Sequence, residues 1–344
     1  MVQAICNELK LQKDYFPQDN VSDSIYFGGG TPSLLSISDL EKILNTVFKN
    51  YAISANPEIT LEGNPDDLNL EKIQNLYNLG INRLSIGIQS FQEDFLKFMN
   101  RAHSATEAIQ VLENVRKVGF ENFTMDLIYG IPSENHSAWK KDLEITLKFQ
   151  PPHISAYCLT IEPKTVFGHR QKKGAFSEAS EDFSAIQFQI LTEKLIENNY
   201  EPYEISNFAK PHFYAQHNQN YWKKGTYLGI GAGAHSYDGT VRQYNISNNH
   251  LYMKAIENGK IPAEKEVLTR ENHLNEYLLT GLRTIWGCNT EILEKYHFNI
   301  FSERSQELQK YKTLGWLEID KKTIRLTEKG RLFADEITAN LFIV

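Results

Sequence analysis

The sequence predicts an α/β protein built on a parallel sheet, a (β/α) barrel or part of one, followed by a small winged-helix-like C-terminal domain. Three observations predict it. Short apolar, strand-like runs alternate with helix-period stretches through the first half of the 344 residues. The strand starts recur at intervals of roughly 25 to 40 residues, the pace of βα units. The closing stretch WLEIDKKTIRLTEKGRLFADEI reads as strand, tight turn, strand, helix.

Taken in order, residues 2–13 read as a helix, and the first strand comes only at Ser24–Phe27. Further strands are expected at Glu58–Leu61, Arg83–Ile88, Asn122–Ile128 and His153–Ile161. Helices are expected between them at Ile37–Lys49, Leu70–Leu79, Ser104–Val118 and His136–Phe149. NFTMDLIYGIP and HISAYCLTIEP read as the continuous apolar runs of parallel strands buried on both faces. Such a chain lays helices outside a parallel sheet. A barrel of this type opens on a strand, whereas this chain opens on a helix. It reads as starting one strand late, with Ser24–Phe27 along an exposed edge. Beyond residue 165 the alternation fades into a long helix over Ser180–Asn198 and an aromatic, Asn-rich stretch, FYAQHNQNYWKKGTYLGIGAGAHSY. Helical text resumes near residue 266. The organisation expected is a partial barrel over 1–165, an extension over 166–265 and the winged-helix-like domain over 266–344.

Composition removes several classes of function. A net charge of −7 argues against a general nucleic-acid binder, which needs clustered Lys and Arg for phosphates. No apolar run approaches the roughly 18 residues of a membrane span. The N-terminus lacks a basic region followed by an apolar stretch, so the cytoplasm is the expected compartment. The three cysteines, Cys6, Cys158 and Cys288, are far apart in sequence and form no C-x-x-C metal or redox motif.

Function in α/β barrels sits at the C-terminal ends of the strands. Those ends carry a polar series here: Gly28-Gly29-Gly30-Thr31-Pro32, then Glu62-Gly63-Asn64-Pro65, then Gln89-Ser90-Phe91. Asp126 lies within the next run and Thr160-Ile161-Glu162-Pro163 ends the last. Consecutive glycines let backbone approach a ligand closely, and a carboxylate inside an apolar run is costly unless paired or bound. Taken singly, each residue also has an ordinary structural reading: a tight turn, a cap, a satisfied carboxylate, or a surface arginine at Arg101. They gain weight by falling on successive strand ends or just after them.

IYFGGGTPSLL, LEGNPDDL, RLSIGIQSF, NRAHS and MDLIYGIP, in this order and spacing, resemble the motifs of the radical-SAM proteins of the oxygen-independent coproporphyrinogen-oxidase-like family. The resemblance covers nearly the whole chain and implies a partial radical-SAM barrel lacking its first strand. It implies that Gly29, Gly30 and Thr31 meet the methionyl amino group of S-adenosylmethionine. Arg101 would pair with the methionyl carboxylate, as a guanidinium suits a carboxylate. Glu62, Gln89 and Asp126 would serve the ribose and amino groups, with Thr160 a weaker candidate. EISNFAKPHFYAQHNQNYW followed by YLGIGAGAHSY resembles the family's heme chaperone branch, which carries an H-N-x-x-Y-W signature, here His217 to Trp222. That branch implies binding of heme and its delivery to respiratory proteins. His217 and, as runner-up, His235 are the candidate heme ligands, since imidazole ligates heme iron. The alternative is an oxygen-independent coproporphyrinogen III oxidase-like oxidoreductase.

One departure stands out. The family holds a 4Fe-4S cluster on a C-x-x-x-C-x-x-C motif after its first barrel strand, upstream of the helix that begins this chain. None of Cys6, Cys158 and Cys288 matches those positions, so the expectation is that no residue of this chain ligates the cluster. Of two explanations, a shortened N-terminus and a natural loss of radical chemistry, the late first strand favours the former.

Overall fold

Several helices in this chain begin where a short polar side chain accepts one of the first unpaired amides. Ser36 accepts from the Asp39 amide, Asn69 from Lys72, Ser104 from Glu107 and Ser180 from Phe183. The computed structural model describes residues 1–17 and 19–343. Its first elements are α1 (Val2–Leu11), β1 (Ser22–Phe27), α2 (Ile37–Asn50), β2 (Ile53–Gly63), α3 (Leu70–Asn78), β3 (Arg83–Gln89) and α4 (Glu93–Phe98). Next come α5 (Ala105–Val118), β4 (Asn122–Tyr129), α6 (Ser137–Phe149), β5 (His153–Cys158), α7 (Val166–Lys172), α8 (Glu181–Glu197) and β6 (Asn207–Ala209).

The strands form an open six-stranded sheet in the order β1-β2-β3-β4-β5-β6, a partial barrel. β2, β3, β4 and β5 run parallel, with Glu62 opposite Ser85, Ser85 opposite Thr124, and Asp126 opposite Ser155. β1 ends the order at one side, where the late-starting strand was expected. The other side carries a strand absent from the sequence reading. β6 spans three residues, too few to show a period, and pairs antiparallel with β5. The last expected strand was too long: β5 stops at Cys158, three residues before Ile161.

A second correction concerns the strand interiors. The runs read as uniformly apolar in fact alternate. Leu61, Leu84, Ile86, Met125, Leu127, Ile154 and Ala156 are buried on one face of the sheet. On the other face, two residues apart in register, stand Thr60 and Glu62, Arg83 and Ser85, Thr124 and Asp126, His153 and Ser155. Arg83 donates to the Thr124 hydroxyl, which lies 3.1 Å from His153 Nδ1, and His153 Nε2 lies 2.7 Å from the Tyr203 hydroxyl. Ser155 donates to Asn207 at 3.0 Å, and Asn207 to Glu204 at 2.7 Å. Burial and the Arg83 charge hold His153 neutral, its pKa well below the ordinary imidazole value.

The chain divides into two compact units. One comprises Gly30–Leu34 and Ile59–Tyr214; the other comprises Met1–Gly29, Leu35–Glu58 and Ala215–Val344. The latter adds α9 (Gln216–Trp222), β7 (His235–Tyr237), β8 (Val241–Asn245), α10 (Asn249–Glu257) and β9 (Ala263–Val267), the three strands forming an antiparallel sheet. It ends with α11 (Arg270–Leu282), β10 (Cys288–Asn289), α12 (Thr290–Lys295), α13 (Ile300–Glu303), α14 (Ser305–Thr313), β11 (Leu317–Asp320), β12 (Thr323–Leu326) and α15 (Ala334–Leu341). β10, β12 and β11 make a second small antiparallel sheet in that order. No helix among the described residues is long and apolar enough to cross a membrane.

Within this unit the fully buried Glu8 of α1 is the polar centre. Its carboxylate accepts from the Gly231 amide at 2.8 Å, Asn245 at 2.6 Å, Tyr252 at 2.5 Å and Gln12 at 2.9 Å. Cys6, Leu9 and Ile43 form a buried apolar cluster of the same unit, with Ile230 packed against it.

Candidate functional site

Glu62, Gln89 and Asp126 of the first unit lie toward the C-terminal ends of β2, β3 and β4. β3 ends on Gln89, whose backbone turns into the left-handed region with φ of 64°. Arg101 follows α4 and returns to the same strand. Arg101 Nη2 donates to Asn64 Oδ1 at 2.9 Å and lies 3.5 Å from the Gly87 carbonyl. Gly87 leaves room for the group. A methyl there would lie 2.9 Å from Gln89 Nε2, 3.1 Å from Arg101 Nη2 and 3.4 Å from Asn64 Oδ1. An amide, a guanidinium and a second amide therefore converge over one glycine.

Glu62 and Asp126 share the polar face of the sheet. Ser85 donates to Asp126 at 3.0 Å, and Ser155 supports the same carboxyl. Burial pushes Asp126 up to about 7, the two serines and Arg83 pull it down, and the neighbouring Glu62 raises it further. Asp66 and Asp126 both act on the Arg101 charge, while burial depresses that guanidinium below its ordinary value. His103 accompanies it, 3.1 Å from the Ile88 carbonyl and 3.8 Å from Asp66.

The glycine loop after β1 is exposed from Gly28 to Thr31. Gly29 adopts φ of 80°, which favours glycine, but Gly30 has no such φ and a methyl there would meet nothing. Neither backbone conformation nor crowding within the protein requires glycine at position 30. The loop runs into a short turn whose Ser33 donates to Asp67 at 2.7 Å, tying it to the turn after β2.

Thr160 stands apart from this group. It lies past the end of β5, exposed, with its hydroxyl 3.4 Å from the Cys158 carbonyl. Both candidate heme ligands belong to the other unit. His217 sits on α9, whose first amides, those of Gln216 and His217, donate to the Glu58 carboxylate at 3.1 Å each. The His217 ring stacks on Tyr26 with centroids 4.5 Å apart, meets Tyr221 edge-on at 5.0 Å, and places Nδ1 3.2 Å from the Ser24 hydroxyl. His235 opens β7 and is exposed, its ring stacked on Tyr244 at 5.7 Å.

Sequence reasoning missed Asn64 as a partner of Arg101, the serines beneath Asp126, and Asp142. For the serines a signal existed, the polar residues at period two in RLSIGIQ and HIS. For Asp142, inside a helix, there was none.

The cysteines offer no cluster site. Cys6 lies in α1, 3.8 Å from the Lys42 carbonyl. Cys288 is buried against the Tyr277 and Leu278 carbonyls at 3.5 and 3.8 Å, with its thiol pushed up to about 12. Cys158 is exposed and belongs to the other unit. Among the described residues no group of three His, Cys, Asp or Glu side chains could hold a metal ion. These thiols do not fit a 4Fe-4S cluster.

Comparison with known proteins decides the family. The radical SAM superfamily model matches residues 7–145, and the HemN C-terminal domain model matches residues 268–333. A protein of Lactococcus lactis named heme chaperone HemW is 37% identical over 89% of this chain and 81% of its own length. The chain belongs to the HemW family of radical SAM proteins. The Bacillus subtilis HemW is 32% identical over 91% of this chain and 84% of its own length. In fold, the solved structure of coproporphyrinogen III oxidase (HemN) from Escherichia coli superimposes with a TM-score of 0.83. It covers 99% of this chain and 82% of that one at 22% identity. The HemW-family chain thus shares the HemN fold, from the partial barrel to the C-terminal domain.

Proposed function

We propose that this chain binds S-adenosylmethionine at the strand ends and acts as a heme chaperone, handing heme to respiratory proteins. The observation that carries the ligand site is the convergence of Gln89, Arg101 and Asn64 over Gly87, with Glu62 and Asp126 on the same face. Arg101 presents paired donors to a carboxylate. Glu62, Gln89 and Asp126 accept from ribose hydroxyls and the ammonium, and Gly29, Gly30 and Thr31 bring backbone to the methionyl end. Thr160 takes a peripheral place. The heme reading rests on the HemW relatives and on the H-N-x-x-Y-W helix.

Gly87→Ala tests the site. The added methyl displaces only the far ends of two flexible side chains, so the melting temperature should hold. Affinity for S-adenosylmethionine, measured by equilibrium dialysis, should fall about tenfold, equivalent to about 1.4 kcal/mol. Unchanged affinity would remove the Gln89–Arg101 group from the ligand.

Heme titration tests the second half. An imidazole can ligate heme iron only where heme can reach it, and His235 is exposed whereas His217 is packed between Ser24 and Tyr26. His235→Ala should therefore weaken heme binding about tenfold or more and broaden the Soret band, with His217→Ala the smaller effect. A folded double variant that binds heme as the parent does would exclude both.

A further inference from the structure

Asp142 lies in the middle of α6 and is fully buried. Among the described residues, the hydrogen bonds to its carboxylate come from one short loop. The Ser90 hydroxyl donates at 2.5 Å, the Phe91 amide at 3.0 Å and the Gln92 side chain at 2.7 Å. The Gln92 amide in turn donates to Ser90 Oγ at 3.0 Å. This loop joins Gln89, where β3 ends, to Glu93, where α4 begins. Three donors on one acceptor fix a backbone that would otherwise relax, because Gln89 is a non-glycine residue held at φ of 64°. Such a conformation has a cost and persists only where its surroundings enforce it. A carboxylate in this setting can only accept, and all the groups facing it donate, so its ionised form is the one the loop requires.

We infer that Asp142 is a positioning residue of the S-adenosylmethionine site. It acts through the Ser90–Gln92 loop to hold Gln89, and the start of α4, in the conformation that meets the ligand. This rests on the ligand reading above and adds a residue about 50 positions downstream of the loop it controls. The substitution that separates this role from a packing role is Asp142→Asn. It keeps the volume and one acceptor oxygen, but removes the charge and turns the second oxygen into a donor facing Ser90.

The test is a double-variant cycle on the full chain, reading S-adenosylmethionine affinity by equilibrium dialysis and folding by circular dichroism. Gln89→Ala and Glu62→Gln should each weaken binding. Asp142→Asn should weaken it about tenfold in the parent and in the Glu62→Gln background, yet less than twofold in the Gln89→Ala background. Asp142→Glu, which restores the charge on a longer arm, should recover part of the loss. Equal losses in all three backgrounds, or no loss in the parent, would overturn the positioning role. If neither Gln89→Ala nor Glu62→Gln alters binding, the ligand reading itself fails, and the two failures are told apart by these single variants. Should Asp142→Asn lose its folded spectrum, Ser90→Ala, which deletes one of the three donors, must show the same dependence on Gln89 for the inference to stand.

Discussion

Replacing Glu8 with alanine should lower the unfolding free energy by about 3–5 kcal/mol, because it takes the acceptor from several buried donors at about 1–3 kcal/mol each. Four donors converge on this carboxylate: the Gly231 amide, the Asn245 and Gln12 side chains and the Tyr252 hydroxyl. They come from α1, the loop before β7, β8 and α10, so the side chain ties four stretches of one unit. Burial raises its pKa and the four hydrogen bonds oppose the rise. Alanine takes this acceptor from the Gly231 amide, the Gln12 side-chain amide and the Tyr252 hydroxyl, while Asn245 keeps the Gly231 carbonyl at 2.9 Å, and the cost is about 1–3 kcal/mol for each orphaned group that water cannot reach. Glu8→Gln retains one acceptor oxygen but turns an amide donor toward other donors, and should fall between the two. Urea unfolding of the three proteins measures this. A loss under about 1 kcal/mol for alanine would mean that water replaces the carboxylate, and that the cluster is not closed.

Asp126→Asn should make the protein more stable than the parent at alkaline pH and leave the two more nearly alike in acid. Asp126 has a folded pKa raised from 3.8 to about 7 by burial. A carboxyl with a raised folded pKa keeps its proton longer in the folded state than in the unfolded one. Its contribution to stability is therefore fully present below pH 4, falls as pH rises from about 4 to about 7, and is gone above that. One pKa unit corresponds to 1.36 kcal/mol, so the difference between variant and parent should grow by up to about 4 kcal/mol across this window. Denaturant unfolding at pH 4, 5.5, 7 and 8 supplies the profile. A difference that stays level would show that Asp126 titrates as an ordinary carboxyl. Ligand ammonium or hydroxyl groups favour the ionised form, so the ligand should flatten the parent's slope.

Much of the barrel could be read from the chain because βα units are local. Several helix starts, among them α2, α3, α5 and α8, have a capping side chain at the preceding residue, and β1 to β5 are long enough to show themselves. β6 could not be read, since three residues carry no period and its pairing with β5 joins positions some 50 apart in sequence. The site divides in the same way. Glu62, Gln89 and Asp126 were visible as polar residues at strand ends. Their mutual arrangement was not, because it depends on the parallel register that puts Glu62 beside Ser85 and Asp126 beside Ser155. The error over NFTMDLIYGIP is instructive. Thr124 and Asp126 are two residues among many apolar ones, and only the register showed that they align with Ser85, His153 and Ser155 into one polar face.

By itself the sequence determined the order of the βα units, the strand-turn-strand end of the chain and the motif series that carries the family, because all are set by residues near one another along the chain. Tertiary structure alone decided three things. It set Gln89, Arg101 and Asn64 around Gly87, separated an exposed His235 from a packed His217, and brought Asp142 under a loop about 50 residues upstream. Each depends on where α6, α9 and the strand ends pack, and packing is settled by burial across the whole unit rather than by neighbours along the chain.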